Sequence, residues 1–132
     1  MKLLPGMVVQ IDFGFYHHPG IVSDRTINST PMVISNSFRK RGVFEESWED
    51  FSSGKQVKIL GYPGALSPDA VLLRARSKIG SRWNLFRWNC EHFINWSHGL
   101  KPRSPQVRNY ATYAIALAGL AVLFSKGKSR IA

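Results

Sequence analysis

"FRWNCEHFINW", residues 86–96, holds the chain's only cysteine, Cys90, set among histidine, glutamate and large aromatics. The stretch reads as the start of a helix. Asn89 is a good N-cap residue, Phe93, Ile94 and Trp96–Ser97 continue the pattern, and Gly99 stops it. Three chemistries are open to Cys90: buried small hydrophobe, metal ligand or nucleophile. A thiol attacks only as thiolate, and its free pKa near 8.5 leaves few such molecules at neutral pH. The unpaired N–H groups and macrodipole of a helix N-terminus favour the anion. There the backbone N–H of Cys90 could also receive the oxyanion of an acyl intermediate.

A nucleophilic thiol needs an imidazole within hydrogen-bond reach. The chain offers His17, His18, His92 and His98. His92 lies two positions beyond Cys90 and points to another side of the helix, so it reads as a packing or supporting residue. His98, near the helix end, reads as a charge complement to the C-terminus or as solvated. His17 and His18 fall on a strand, where alternation lets only one of them face the helix start. A metal site is not expected, because no two histidines stand four apart and no second cysteine exists. No cofactor is implied.

The first half of the chain reads as strands. After the Pro5-Gly6 turn, "MVVQIDF" makes the first. The second runs through "FYHHPGIVSD" with Gly20, Ile21 and Val22. "PMVISNSF" (31–38) makes the third, with Val33, Ser35 and Ser37 on one face and Met32, Ile34 and Asn36 on the other. "GVFEESWEDFSSGKQVKIL" suggests a bend around Glu45–Phe51 and a fourth strand at Gln56–Leu60. A helix follows, with Ser67 as N-cap, Pro68 in its first position, Asp69 in its first turn and Gly80 as its stop. Its apolar positions are Val71, Leu72, Ala75 and Ile79. The expected fold is therefore α+β: a small antiparallel sheet or half barrel packed against a cysteine-bearing helix. Trp83, Trp88, Phe93 and Trp96 are expected to form core around that helix.

At 132 residues, 44% of them hydrophobic and 12% aromatic, the chain fits one globular domain and excludes a disordered protein. A single cysteine excludes internal disulfides and Cys-rich zinc clusters, and predicts a reducing compartment. "MKLLPGMVVQ" has too short an apolar run for a signal-peptide core, so a cytoplasmic location is expected. The net charge of +10 is uneven: residues 1–70 carry seven bases and seven acids, residues 71–132 eleven bases and Glu91 alone. Such asymmetry suits a face that meets anionic lipid, nucleic acid or an acidic substrate, or a solvated basic surface.

Residues 1–100 are read as the domain and 101–109, "KPRSPQVRN", as a linker. "YATYAIALAGLAVLF" (110–124) is apolar nearly all round, and opens a helical segment, 110–132, with a basic end. Fifteen helical residues span about 22 Å, short of the roughly 30 Å of a bilayer core. Lys101, Arg103 and Arg108 precede it, and Lys126, Lys128 and Arg130 follow. This predicts a membrane-inserted or interfacial anchor, or a helix packed on the domain or a partner.

"NCEHF" at 89–93 resembles the cysteine motif of the lecithin:retinol acyltransferase-like family, which includes phospholipase A/acyltransferases. "PGMVVQI" and "YHHPGIV" resemble its first strand and its histidine motif. "PMVISNS", "GVFEESWEDFSSGKQVKI" and "RARSKIGSRWNLFRWNCEHF" follow the same order, so that the resemblance covers roughly residues 5–99. It implies a permuted papain-like cysteine hydrolase fold, with the histidine strand before the cysteine helix in sequence. It places the catalytic histidine on His18, with Tyr16 and Asn89 as supporting residues and His17 facing away. Ser35 stands where the family often has a third histidine to orient the ring, and Asn36 is the alternative.

The implied activity is a thiol hydrolase or acyltransferase, with Cys90 attacking an acyl carbonyl and His18 moving its proton. Phospholipid acyl esters are the favoured substrate, with an anionic membrane surface as partner. The alternatives are a cysteine peptidase or amidase, and a non-catalytic interaction module. Nucleic acid is not an expected main partner, since the bases are spread along the chain.

Overall fold

The computed structural model describes residues 2–101. Five strands, β1 (Val8–Asp12), β2 (His17–Ile27), β3 (Thr30–Ser37), β4 (Gly42–Glu46) and β5 (Val57–Gly61), form one sheet in the order β4-β3-β2-β1-β5. Every neighbouring pair is antiparallel, so the sheet is an open α+β sheet with β4 and β5 as edges. Three helices complete it: α1 (Trp48–Ser52), α2 (Pro68–Ser77) and α3 (Cys90–Ser97).

Tight turns fix the register. Ile27 pairs with Thr30 across a two-residue loop in which Asn28 and Ser29 both have positive φ, at 50° and 66°. That is the primed turn whose twist matches the strands, and asparagine tolerates the left-handed region it requires.

Both faces of the sheet are covered, which is why the neighbours Val8 and Val9 of β1 are both apolar and buried. Val8, Ile21, Ile34 and Val43 form one cluster with Val71, Leu72 and Ala75 of α2 and Phe93 and Ile94 of α3. Val9, Ile11, Val22 and Val33 form the other, against Phe51 of α1. The two faces of β3 follow the alternation expected from "PMVISNS". Gly20 lets β2 approach α1, because a Cβ there would lie 2.5 Å from Val33 Cγ1 and 2.7 Å from Phe51 Cε1. Truncating the fully buried Phe93 to alanine would cost about 3–5 kcal/mol.

The segment read as a bend around Glu45–Phe51 is instead a strand, Gly42–Glu46, followed by a one-turn helix. Ser47 caps that helix, its Oγ accepting from the Asp50 N–H at 3.0 Å. Helix α2 begins as expected, with Ser67 Oγ accepting from the Ala70 N–H, but ends at Ser77, and Ile79 stays largely exposed.

Of the aromatics expected as core, only Phe93 is fully buried. Trp88 packs edge-on to Phe93, Trp83 lies against Phe38, and the Trp96 ring carries the Arg74 guanidinium at 4.0 Å.

A charge network binds α2 to the sheet at β2 and β4. Arg76 Nη2 reaches Asp24 Oδ1 at 2.5 Å and Glu45 Oε2 at 3.1 Å, and Ser23 bonds Glu45. Burial alone would raise the Glu45 pKa, but hydrogen bonds from Arg76 and Ser23 outweigh it and hold the carboxyl below its usual range.

Candidate active site

Helix α3 starts with a doubly built cap. Asn89 Oδ1 accepts from the N–H groups of Glu91 (3.0 Å) and His92 (3.1 Å), and Asn89 Nδ2 donates to the Leu85 carbonyl. In return, His92 Nδ1 accepts from the Asn89 N–H at 3.0 Å, so histidine fills the place glutamate usually takes in a capping box. Accepting at Nδ1 keeps that nitrogen unprotonated, and burial holds the His92 pKa below its ordinary value. His92 is therefore part of the helix cap.

Asn36 ties this cap to β3. Its Nδ2 donates to the carbonyls of Trp88 (2.9 Å) and Asn89 (3.2 Å). The loop before the helix is itself ordered, with Asn84 and Trp88 paired as a bridge and Trp88 Nε1 donating to Ser81 Oγ at 2.8 Å. Asn36 was expected to orient an imidazole; here its amide holds the backbone that presents Cys90.

Cys90 is 3% exposed, and its Sγ donates to the His17 carbonyl at 3.8 Å. Burial, and then the charge of Glu91, push the thiol up to about 12. The thiol is protonated at neutral pH. Because Asn89 consumes the N–H groups of Glu91 and His92, the Cys90 N–H is the first-turn donor that the cap leaves over.

The two strand histidines point to opposite faces. His18 pairs with Ile11 of the second cluster, and its ring packs 5.3 Å from that of Phe51. It therefore lies on the α1 side of the sheet, whereas α3 packs on the other. Burial, reinforced by the charge of Arg39, pushes its pKa down to about 4. Nδ1 of His18 has no hydrogen-bond partner, and neither does the buried Oγ of Ser35, which shares its face with Val33. The expected hydrogen-bonded trio of Cys90, His18 and Ser35 is thus not assembled. The physical reason is the two-residue period of a strand, which turns the neighbours His17 and His18 to opposite faces.

His17 lies on the α3 side. It pairs directly with Asp12 across the hairpin, His17 Nδ1 standing 3.5 Å from Asp12 Oδ1, with the imidazole half-exposed. The two residues line a cleft of about 560 Å³ with Gln10, Lys55, Gln56 and Lys58. A smaller cleft of about 210 Å³ shares Gln10 and continues past Pro19 to Glu91 and Asn95 of α3. Tyr16 stacks on Phe13 with ring centroids 5.3 Å apart. Sequence reasoning missed Asp12, although "DFGFYH" is a hairpin whose four-residue turn sets Asp12 opposite His17.

His98, read as a charge complement to the helix C-terminus or as solvated, is buried. Its Nε2 donates to the Gly6 carbonyl at 2.8 Å and its ring meets Tyr62 edge-on. This bond joins the end of α3 to the segment before β1. Among the described residues no group of three or more His, Cys, Asp or Glu side chains could hold a metal ion. No helix among them is long and apolar enough to cross a membrane, and the apolar stretch 110–124 lies outside the described residues.

Sequence comparison defines the class: the family model for lecithin retinol acyltransferase matches residues 2–101, the span of the sheet and its three helices. This chain belongs to that family. A search of curated proteins finds no match.

Proposed function

We propose that this chain is a cysteine-dependent acyl hydrolase or acyltransferase of permuted papain-like architecture, acting on phospholipid acyl esters. The observation that carries the reading is Cys90 at the capped N-terminus of α3, in contact with the first residue of the histidine strand. Family membership adds that acyl transfer is the expected chemistry.

The base we propose is His17, one position before the residue the motif suggests, because it shares the α3 side of the sheet. Sγ of Cys90 forms a bond to the acyl carbonyl carbon while its proton passes to His17 Nε2. Asp12, on the Nδ1 side, holds the ring and steadies the imidazolium. The carbonyl oxygen becomes an oxyanion facing the Cys90 N–H. Collapse breaks the ester C–O bond, His17 returns the proton to the leaving alcohol, and an acyl-cysteine is left. Water or an acceptor alcohol, deprotonated by His17, releases the acyl group. With the resting thiol protonated, attack and proton transfer occur in one step instead of from a standing thiolate–imidazolium pair.

The comparison of His17→Ala with His18→Ala tests this assignment. Loss of kcat in the first, with kcat kept in the second, supports His17; the reverse returns the role to His18.

A sealed, protonated thiol also favours a second reading, a non-catalytic interaction module of the same fold. It predicts that no acyl substrate ever modifies Cys90.

A further inference from the structure

The antiparallel register gathers one end of the sheet into a single surface. The end of β1, the start of β2, the end of β3 and the start of β4 all lie there, as the pairs Asp12↔His17 and Ser37↔Gly42 show. The contact of Cys90 with the His17 carbonyl puts the candidate nucleophile at the same end. Three separate loops each raise a phenylalanine from it: Phe15 between β1 and β2 (83% exposed), Phe38 between β3 and β4 (60%) and Phe86 before α3 (67%).

Single exposed apolar residues are ordinary on a soluble protein, but three large aromatics converging on one end are not. Two of the loops pack on their neighbours. Phe38 packs on Trp83 at 4.9 Å, and the segment leading to Phe86 presses on β4, where a Cβ on Gly42 would meet the Ser81 carbonyl at 2.4 Å.

Between these rings stand Arg41, Arg82 and Arg87, all exposed and, among the described residues, in no ion pair with a carboxylate. Of the acids near this end, Asp12 faces His17, Glu91 lies on α3, Glu46 pairs with Lys40, and Glu49 and Asp50 lie beside Arg39 and Lys40. Aromatic rings amid unneutralised guanidinium groups complement an anionic bilayer: the bases meet lipid phosphates and the rings enter the interfacial layer.

We propose that the sheet end bearing Phe15, Phe38 and Phe86, with Arg41, Arg82 and Arg87, docks on anionic lipid bilayers and turns the Cys90 end toward the membrane. The orientation rests on the reading of Cys90 as the reactive thiol; the docking does not.

The test uses the full chain carrying Cys90→Ala, so that binding is measured without turnover. It is added to phosphatidylcholine vesicles containing 30 mol% phosphatidylserine, and its partitioning is followed by co-sedimentation. Phe15→Ser, Phe38→Ser and Phe86→Ser combined, and separately Arg41→Gln, Arg82→Gln and Arg87→Gln combined, are each expected to weaken partitioning at least tenfold. The control Leu73→Ser, on an equally exposed α2 residue, is expected to stay within twofold, and thermal unfolding checks that each variant is folded. Only the arginine-dependent part is expected to fall with added salt. Unchanged partitioning in either combined variant, or an equal loss in the Leu73→Ser control, overturns the proposal. So does preference for RNA over vesicles, or loss of self-association in place of vesicle binding. Failure of the catalytic reading would show instead as a Cys90 that forms no acyl adduct while vesicle binding stands.

Discussion

Alkylation of Cys90 offers a quantitative probe of its burial. The thiol, at 3% exposure, is pushed up to about 12, roughly three units above the free thiol. Three units correspond to about 4 kcal/mol disfavouring the thiolate in the folded state. At pH 7.5 the thiolate population is then about a thousandfold below that of an unburied cysteine, and iodoacetamide should react slower by the same order. The rate, followed by mass spectrometry of the intact protein against free cysteine, should rise tenfold per pH unit well beyond pH 9. Stability must follow with the opposite sign. Between pH 9 and 12 the unfolded chain has lost this proton while the folded chain keeps it, so unfolding free energy falls by about 1.4 kcal/mol per unit. Cys90→Ala should lack that component of alkaline destabilisation in urea titrations at pH 8 and 10.5. Alkylation of the folded protein at the free-cysteine rate at pH 7.5 would refute the argument, because it would require an accessible, ionisable sulfur.

Other consequences follow from single groups. Asn89→Ala removes the acceptor for two helix N–H groups and should cost about 1–2 kcal/mol in denaturant titration, with Asn89→Asp retaining most of it. His18 has a folded pKa of about 4, below its ordinary 6.5, so the folded state takes up its proton later than the unfolded chain. Stability should fall as pH drops from 6.5 toward 4, by up to about 3 kcal/mol, and His18→Phe should remove that dependence in thermal melts. Arg76→Ala leaves the Glu45 carboxylate with only Arg25 and Ser23 as partners and should cost about 1–2 kcal/mol by urea titration, whereas Arg76→Lys should recover part of it.

The sequence is most readable where local chemistry decides. Ser67-Pro68 started α2 and Asn89 started α3 because a cap needs only neighbours along the chain. The two faces of β3 were legible from alternation alone. Strand β4 was hidden because Glu45 and Glu46 looked like loop, and their carboxylates are satisfied by distant groups, Arg76 and Lys40. At the site, the helix that carries Cys90 was legible, but which strand histidine shares its side of the sheet was not. Choosing His17 or His18 depends on strand register, which is fixed by pairing with Asp12 and Ile11 and not by the motif. His98 was misread for a similar reason: its partner, the Gly6 carbonyl, lies at the other end of the sequence.

The central claim is that Cys90 carries the acyl group. Rapid acid quench of the full chain after incubation with phosphatidylcholine vesicles, followed by peptide mass spectrometry, tests it directly. The account predicts a thioester mass increment on the peptide containing Cys90, accumulating in the wild type and missing from Cys90→Ala and His17→Ala. Lipid turnover that persists in Cys90→Ala, or acyl groups found only on other residues, would contradict it.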